Sequence, residues 1–289
     1  QTVRQRNITS IADFIGARFG KSHGLAALVA VIAVVAVVPY IALQFKAVAM
    51  SYGVLGGAAF GAVKAGGVDS ALWCAVLLAA FAILFGTRSI DATEHHHGLM
   101  LAIALESLIK LLAFVALAGY ALWHGPGLAS TLRLPLDQLE IDPSPGFVAQ
   151  TMLAFCAMFC LPRQFQIGMV ECEDTGDLTR ARWLVPLYLA VISAAVLPIV
   201  AAGAHMPQVR GGAADAWVLT LPLALGDRGM ALLAFIGGFS AATGMVIVAA
   251  VALSTMISND LVMPALLRIR ALRLEQSSDL SQWVLGVRR

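Results

Sequence analysis

SHGLAALVAVIAVVAVVPYIALQF, residues 22–45, contains no Asp, Glu, Lys or Arg. A helix needs about 20 predominantly apolar residues to cross a hydrocarbon core roughly 30 Å thick, and this stretch meets that length. Charge-free runs recur at residues 70–87, 143–162, 183–209 and 229–259, and a further candidate at 98–122 is interrupted only by Glu106 and Lys110. None shows the two-residue alternation of a lipid-facing strand, which excludes a barrel. The expected fold is an all-α integral membrane protein with six transmembrane helices, near 25–50, 69–87, 98–122, 146–162, 183–204 and 229–257.

Composition agrees. Of the 289 residues 60% are hydrophobic and 12% charged, with mean hydropathy +0.84, far from the balance of a water-soluble domain. The net charge of +2 is no nucleic-acid signature. Its placement is informative, because cytoplasmic loops beside membrane spans collect Lys and Arg. The N-terminal segment (Arg4, Arg6, Arg18, Lys21), Arg88, the loop with Arg163, Arg180 and Arg182, and the tail from Arg268 to Arg289 outweigh the alternate loops, which hold Lys64, Arg133, Arg210 and Arg228. Both ends are therefore expected in the cytoplasm, and the protein in the cytoplasmic (inner) membrane of a bacterium as a multi-pass chain. The chain begins with Gln1 and ends on Arg288 and Arg289 in what reads as mid-loop, so a piece of a longer protein is expected.

Three regions are delimited: an amphipathic cytoplasmic lead-in at 1–23, a six-helix membrane domain at 24–260, and a basic cytoplasmic loop at 261–289. In the lead-in, Ile8, Ile11, Phe14, Ile15 and Phe19 recur at three and four residues, the pattern of a helix lying along a membrane surface. The segments 53–67, 134–146 and 205–228 are rich in Gly, Ala, Pro or acidic residues and read as extracytoplasmic loops. Helix breakers fall inside several spans: Pro39, Pro162, Pro186, Pro198, and Gly237, Gly238 and Gly244. Each proline frees a backbone carbonyl that needs a partner in the membrane. Interrupted helices are therefore both kinks and candidate binding elements.

Glu106 and Lys110 are four residues apart with the acid first, so they share a helix face and can pair. Charges at that depth are costly unless they face the protein interior. The pair serves either as a structural tie or in the movement of a proton or substrate. Gln44 and Lys46 lie on different faces of the first span, with Lys46 free to snorkel and Gln44 turned to protein. Ser240, Thr243, Ser254, Thr255 and Ser258 suit close helix packing. Cys74, Cys156, Cys160 and Cys172 read as small polarizable residues of a bundle. His95, His96 and His97 are consecutive and cannot all grip one ion, so no metal site is expected. No nucleotide-binding loop or catalytic triad spacing occurs; the chain carries no catalytic apparatus.

Three stretches carry a family resemblance. NITSIADFIGARFGK (7–21) is similar to the cytoplasmic loop before the third core helix of the sodium/solute symporter family. FGTRSIDATEHHHGLM (85–100) matches that family's turn between the fourth and fifth core helices, with Gly86, Thr93 and Glu94 at its marked positions. GGFSAATGMVIVAAVALSTMISND (237–260) resembles its eighth core helix. The wording of PYIALQFKAV, FCLPRQFQ and ISNDLVMP is most similar to the transporter-like sensor module of the CbrA-like group of bacterial sensor histidine kinases. The resemblance implies core helices three to eight of a LeuT-type five-plus-five inverted repeat. It also implies a domain that binds or carries an amino acid and feeds a fused or associated cytoplasmic kinase in two-component signalling. The alternative is a plain cation-coupled secondary symporter.

Carried over by position, the family's sodium site on the eighth core helix falls on Ala241, Gly244 and Met245, with backbone carbonyls or the neighbouring hydroxyl of Thr243 or Ser240 as substitutes. Gly244 and Met245 offer no side-chain oxygen for Na⁺, so the resemblance argues against sodium and leaves proton coupling open. The substrate contacts fall on the broken sixth core helix, at Cys160, Leu161, Pro162 and Gln164, facing Gln44 of the third. Arg163 is placed either on a substrate carboxylate or at the cytoplasmic boundary.

Overall fold

The computed structural model describes residues 8–56, 97–125, 145–172, 175–210 and 214–268, together with Gly127 and scattered positions from 72 to 80. The described residues are mostly helical and contain no strand. Of the expected second span, 69–87, only those scattered positions are described, and they are helical. Gly86, Thr93, Glu94, Cys74, His95, His96 and residues 269–289 lie outside the described residues, as does most of the expected loops at 53–67 and 134–146.

Helix α1 (Ile11–Arg18) is short and closed at its start. Ser10 accepts from the Asp13 N–H at 2.9 Å, while the Asp13 carboxylate accepts from the Thr9 N–H at 3.2 Å. This reciprocal capping satisfies two amides that a helix start leaves open. Helix α2 (His23–Leu55) follows, capped by Ser22, which accepts from the Leu25 N–H. Gly16 lets α1 cross α2 closely, since a Cβ there would stand 3.1 Å from the Ala26 methyl.

The remaining long elements are α3 (His97–His124), α4 (Pro145–Cys160), α6 (Thr175–His205) and α9 (Arg228–Met256). Helix α9 continues through a π-helical turn at Ile257–Val262 into α10 (Met263–Arg268). The domain boundary expected at residue 260 thus falls inside a helix. Among the described residues four helices are long and apolar enough to cross a membrane: α2, α3, α6 and the α9–α10 run. A fifth is formed if α4 is joined across a 47° bend to α5 (Pro162–Phe165) and its π-helical extension Gln166–Val170.

The prolines act unequally. Pro39, Pro186 and Pro198 sit inside unbroken helices. At Leu161–Pro162, by contrast, the chain leaves helical geometry, with Leu161 extended (φ −69°, ψ 128°) and Pro162 opening the next helix. Extended backbone before a proline relieves the clash with its ring, and proline itself fits the first turn of a helix.

Two apolar cores lie at opposite ends of the bundle. The first joins Ile8, Ile11 and Ala12 of the lead-in to Ala30, Ala33 and Val37 of α2, Phe165 of α5, and Ala249, Leu253 and Met256 of α9. The Phe14 and Phe165 rings meet tilted at 46°, with centroids 5.7 Å apart. The apolar face of the lead-in is therefore spent on the bundle itself, with Phe19 alone of its described large apolar residues exposed. The second core joins Val54, Leu117, Ala121, Ile199, Ala202 and Ala234 with Leu219 and Leu221 of α8 (Trp217–Ala224).

Helices α3 and α9 pack through small residues. A Cβ on Gly237 would overlap that of Ala113, and one on Gly244 would overlap the Glu106 carboxylate. The two glycines are seven apart and so are their partners, in opposite chain order, as two antiparallel helices facing each other every second turn require. Close backbone approach is the usual source of helix association in lipid, where burial of apolar side chains drives little.

Candidate functional site: a polar layer between the two cores

Between the two cores the bundle carries charge. Tyr40 of α2 and Met245 of α9 each lie between the stretch of helix that builds one core and the stretch that builds the other, and Glu106 and Lys110 of α3, Arg163 of α5 and Tyr188 of α6 complete the layer. All six are half-buried.

Their contacts cross between helices. The Arg163 guanidinium donates to the Tyr40 hydroxyl at 3.3 Å and lies 5.8 Å from the centre of its ring. That hydroxyl in turn donates to the Met245 sulfur at 2.9 Å. Arg163 is therefore engaged at mid-length of α2, through the bend that Leu161 and Pro162 introduce. A straight span would carry its side chain along another line. On the other flank, the Lys110 ammonium stands 6.0 Å from the centre of the Tyr188 ring, and the Tyr188 hydroxyl donates to the Ser107 carbonyl at 3.1 Å.

Glu106 occupies the middle. Its carboxylate is seated on Gly244, where any side chain would collide with it. The positive charges of Lys110 and Arg163 both act on it, yet no basic nitrogen among the described residues comes within 4.0 Å of its oxygens. The two residues that sequence spacing places on one face thus reach in different directions, Glu106 toward α9 and Lys110 toward α6.

The positions singled out by sequence divide accordingly. Gly244 and Met245 are in the layer, and the notch at Gly244 is filled by Glu106. The Thr243 hydroxyl donates to the Phe239 carbonyl of its own helix at 2.7 Å, and Ala241 is half-buried one turn before Met245. Gln44 is half-buried one turn beyond Tyr40. At the bend, Pro162 is buried, Gln164 is half-buried, and Leu161 and Cys160 are exposed. Tyr40 and Tyr188 escaped the sequence reading. Tyr40 stands directly after Pro39 and four residues before Gln44, which puts it on the same helix face as a residue already suspected.

Cavities open on both sides of the layer. One of about 690 Å³ lies at the first core's end, lined by Asp13, Lys21, Ser22, His23 and Asp260. There Ser10 donates to Asp260 at 3.0 Å and Asn259 to Thr9 at 3.1 Å. The other, about 180 Å³, lies toward the second core between Ser51, Phe114, Phe235, Gly238 and Asp215. Among the described residues no group of three His, Cys, Asp or Glu is placed to hold a metal ion. Comparison of the chain with protein-family models, with curated proteins and with solved structures finds no match.

Proposed function

We propose that this chain is a transporter-like membrane domain that binds an amino acid within the polar layer and serves as the sensor input of a cytoplasmic histidine kinase. The observation that carries the reading is the layer itself, built from five helices, with a cavity on either side of it. Ionisable side chains at bilayer depth that face one another mark substrate and ion pathways. The carboxylate of an amino acid needs a cationic partner, and Arg163 supplies one beside the bend. The bend at Leu161–Pro162 exposes backbone groups beside it, as interrupted helices of transporters do. Ligand would act by favouring one arrangement of the helices over another, and only a difference in affinity between them can send a signal.

The six-helix count, the LeuT-type repeat and cytoplasmic chain ends belong to the same proposal and rest on the sequence resemblance and on the Lys and Arg distribution. Binding of a pooled set of radiolabelled amino acids to the intact protein in lipid nanodiscs tests it. Removing one partner of a buried charged contact costs about 2 kcal/mol or more, about 30-fold in affinity. Arg163→Ala is therefore expected to weaken binding by at least that factor, while Leu105→Ala, on an exposed face of α3, leaves it unchanged. Equal binding by the Arg163→Ala, Gln164→Ala and Gln44→Ala proteins would refute the placement of the site.

A further inference from the structure

The Glu106 carboxylate lies against the backbone of α9 at Gly244, half-buried, and no donor among the described residues hydrogen-bonds to it. The groups that face it are committed elsewhere. On its own helix Lys110 turns to the Tyr188 ring, and on α6 the Tyr188 hydroxyl is bonded to the Ser107 carbonyl. On α2 the Tyr40 hydroxyl is bonded to Met245, and on α5 Arg163 is bonded to Tyr40. Helix α9 presents Gly244 and Met245, neither with a side-chain donor for it. An ionised carboxylate held in such a place without donors is strongly disfavoured, whereas a neutral carboxyl costs far less there.

We infer that Glu106 is a proton-binding site. The carboxyl takes a proton from water and carries it while seated in the Gly244 notch. When α3 and α9 separate, the proton returns to water and the carboxylate that remains pairs with Lys110, one turn along the same helix face. Gly244 is the determinant, because any larger residue closes the notch. Coupling of this proton to ligand movement rests on the transporter-like reading above; residence of the proton on Glu106 does not.

The test is infrared spectroscopy of the intact protein in lipid nanodiscs without added ligand, read at the C=O stretch of protonated carboxyl groups in neutral buffer. The native protein is expected to show a band that Glu106→Gln removes. Gly244→Ser, whose hydroxyl enters the notch, is expected to shift or remove the same band with Glu106 still present. Glu106→Gln is also expected to fold as the native protein does, since the amide has the shape of the protonated acid. A band unchanged in both variants overturns the inference, and so does a Glu106→Gln protein that no longer folds, the result a permanent ion pair demands. Loss of the band with no amino-acid binding by the native protein upholds the proton site and removes the transporter-like reading.

Discussion

The Ser10 hydroxyl donates to the Asp260 carboxylate at 3.0 Å, across 250 residues of chain. Ser10 also caps α1, and Asp260 lies in the π-helical turn that ends α9, so one side chain fixes the start of the lead-in to the end of the last long helix. Beside it Asn259 donates to Thr9. Asp260 is nearly buried, and a buried acceptor that loses its donor costs about 1–3 kcal/mol; loss of the cap adds about 1 kcal/mol. Ser10→Ala is therefore expected to lower the thermal unfolding temperature clearly more than Ser22→Ala, which removes only an exposed cap. Differential scanning fluorimetry in detergent measures both, and equal shifts would contradict the clasp.

Gly237 and Gly238 are neighbours with opposite surroundings. A Cβ at 237 would overlap the Ala113 methyl, whereas one at 238 meets nothing within 4 Å. Overpacking of a close helix contact costs about 1–3 kcal/mol, and replacing an unhindered helical glycine by alanine is favourable by up to about 1 kcal/mol. Gly237→Val is expected to destabilise the α3–α9 contact and Gly238→Ala to be neutral or stabilising. Unfolding in a titration of denaturing detergent reads the difference, and the reverse order would show that the helices do not cross there.

Tyr40 joins Arg163 to Met245 through one hydroxyl. Tyr40→Phe leaves the guanidinium without that acceptor, and hydrogen bonds to charged groups contribute about 1.5–3 kcal/mol. In a double-mutant cycle with Arg163→Met, the coupling energy is expected between about 0.5 and 3 kcal/mol. A coupling indistinguishable from zero would separate the two residues.

Trp123 and Trp183 are 86% and 72% exposed, near the end of α3 and near the start of α6. Because Ala121 and Ala202 meet in one core, the end of α3 lies beside the end of α6, and the two indoles stand at opposite ends of the bundle. Tryptophan favours the headgroup level of a bilayer. Single-tryptophan proteins in vesicles are expected to be quenched most by lipids brominated near the headgroups. Iodide added outside should reach one of the two and not the other, and quenching of both would rule out a membrane crossing between them.

Much of this architecture was legible along the chain. Hydropathy is a sum over neighbouring residues, so runs at 22–45, 98–122, 183–209 and 229–259 announce long apolar helices before any contact is known. The break at Pro162 was equally local, since a proline constrains its own ring and the residue before it. Tertiary structure decided the rest. Pro39, Pro186 and Pro198 have the same chemistry as Pro162 yet leave their helices unbroken. The spacing of Glu106 and Lys110 permits a pair, but their partners are chosen by α9 and α6, whose approach depends on glycines more than 120 residues away and on where Tyr188 stands. The lead-in pattern fitted a membrane surface and its own bundle alike, because an apolar stripe specifies burial and says nothing of what buries it. Helix formation is set by short-range energetics, while the meeting of Glu106 with Gly244 and of Ser10 with Asp260 is set by how the whole bundle packs.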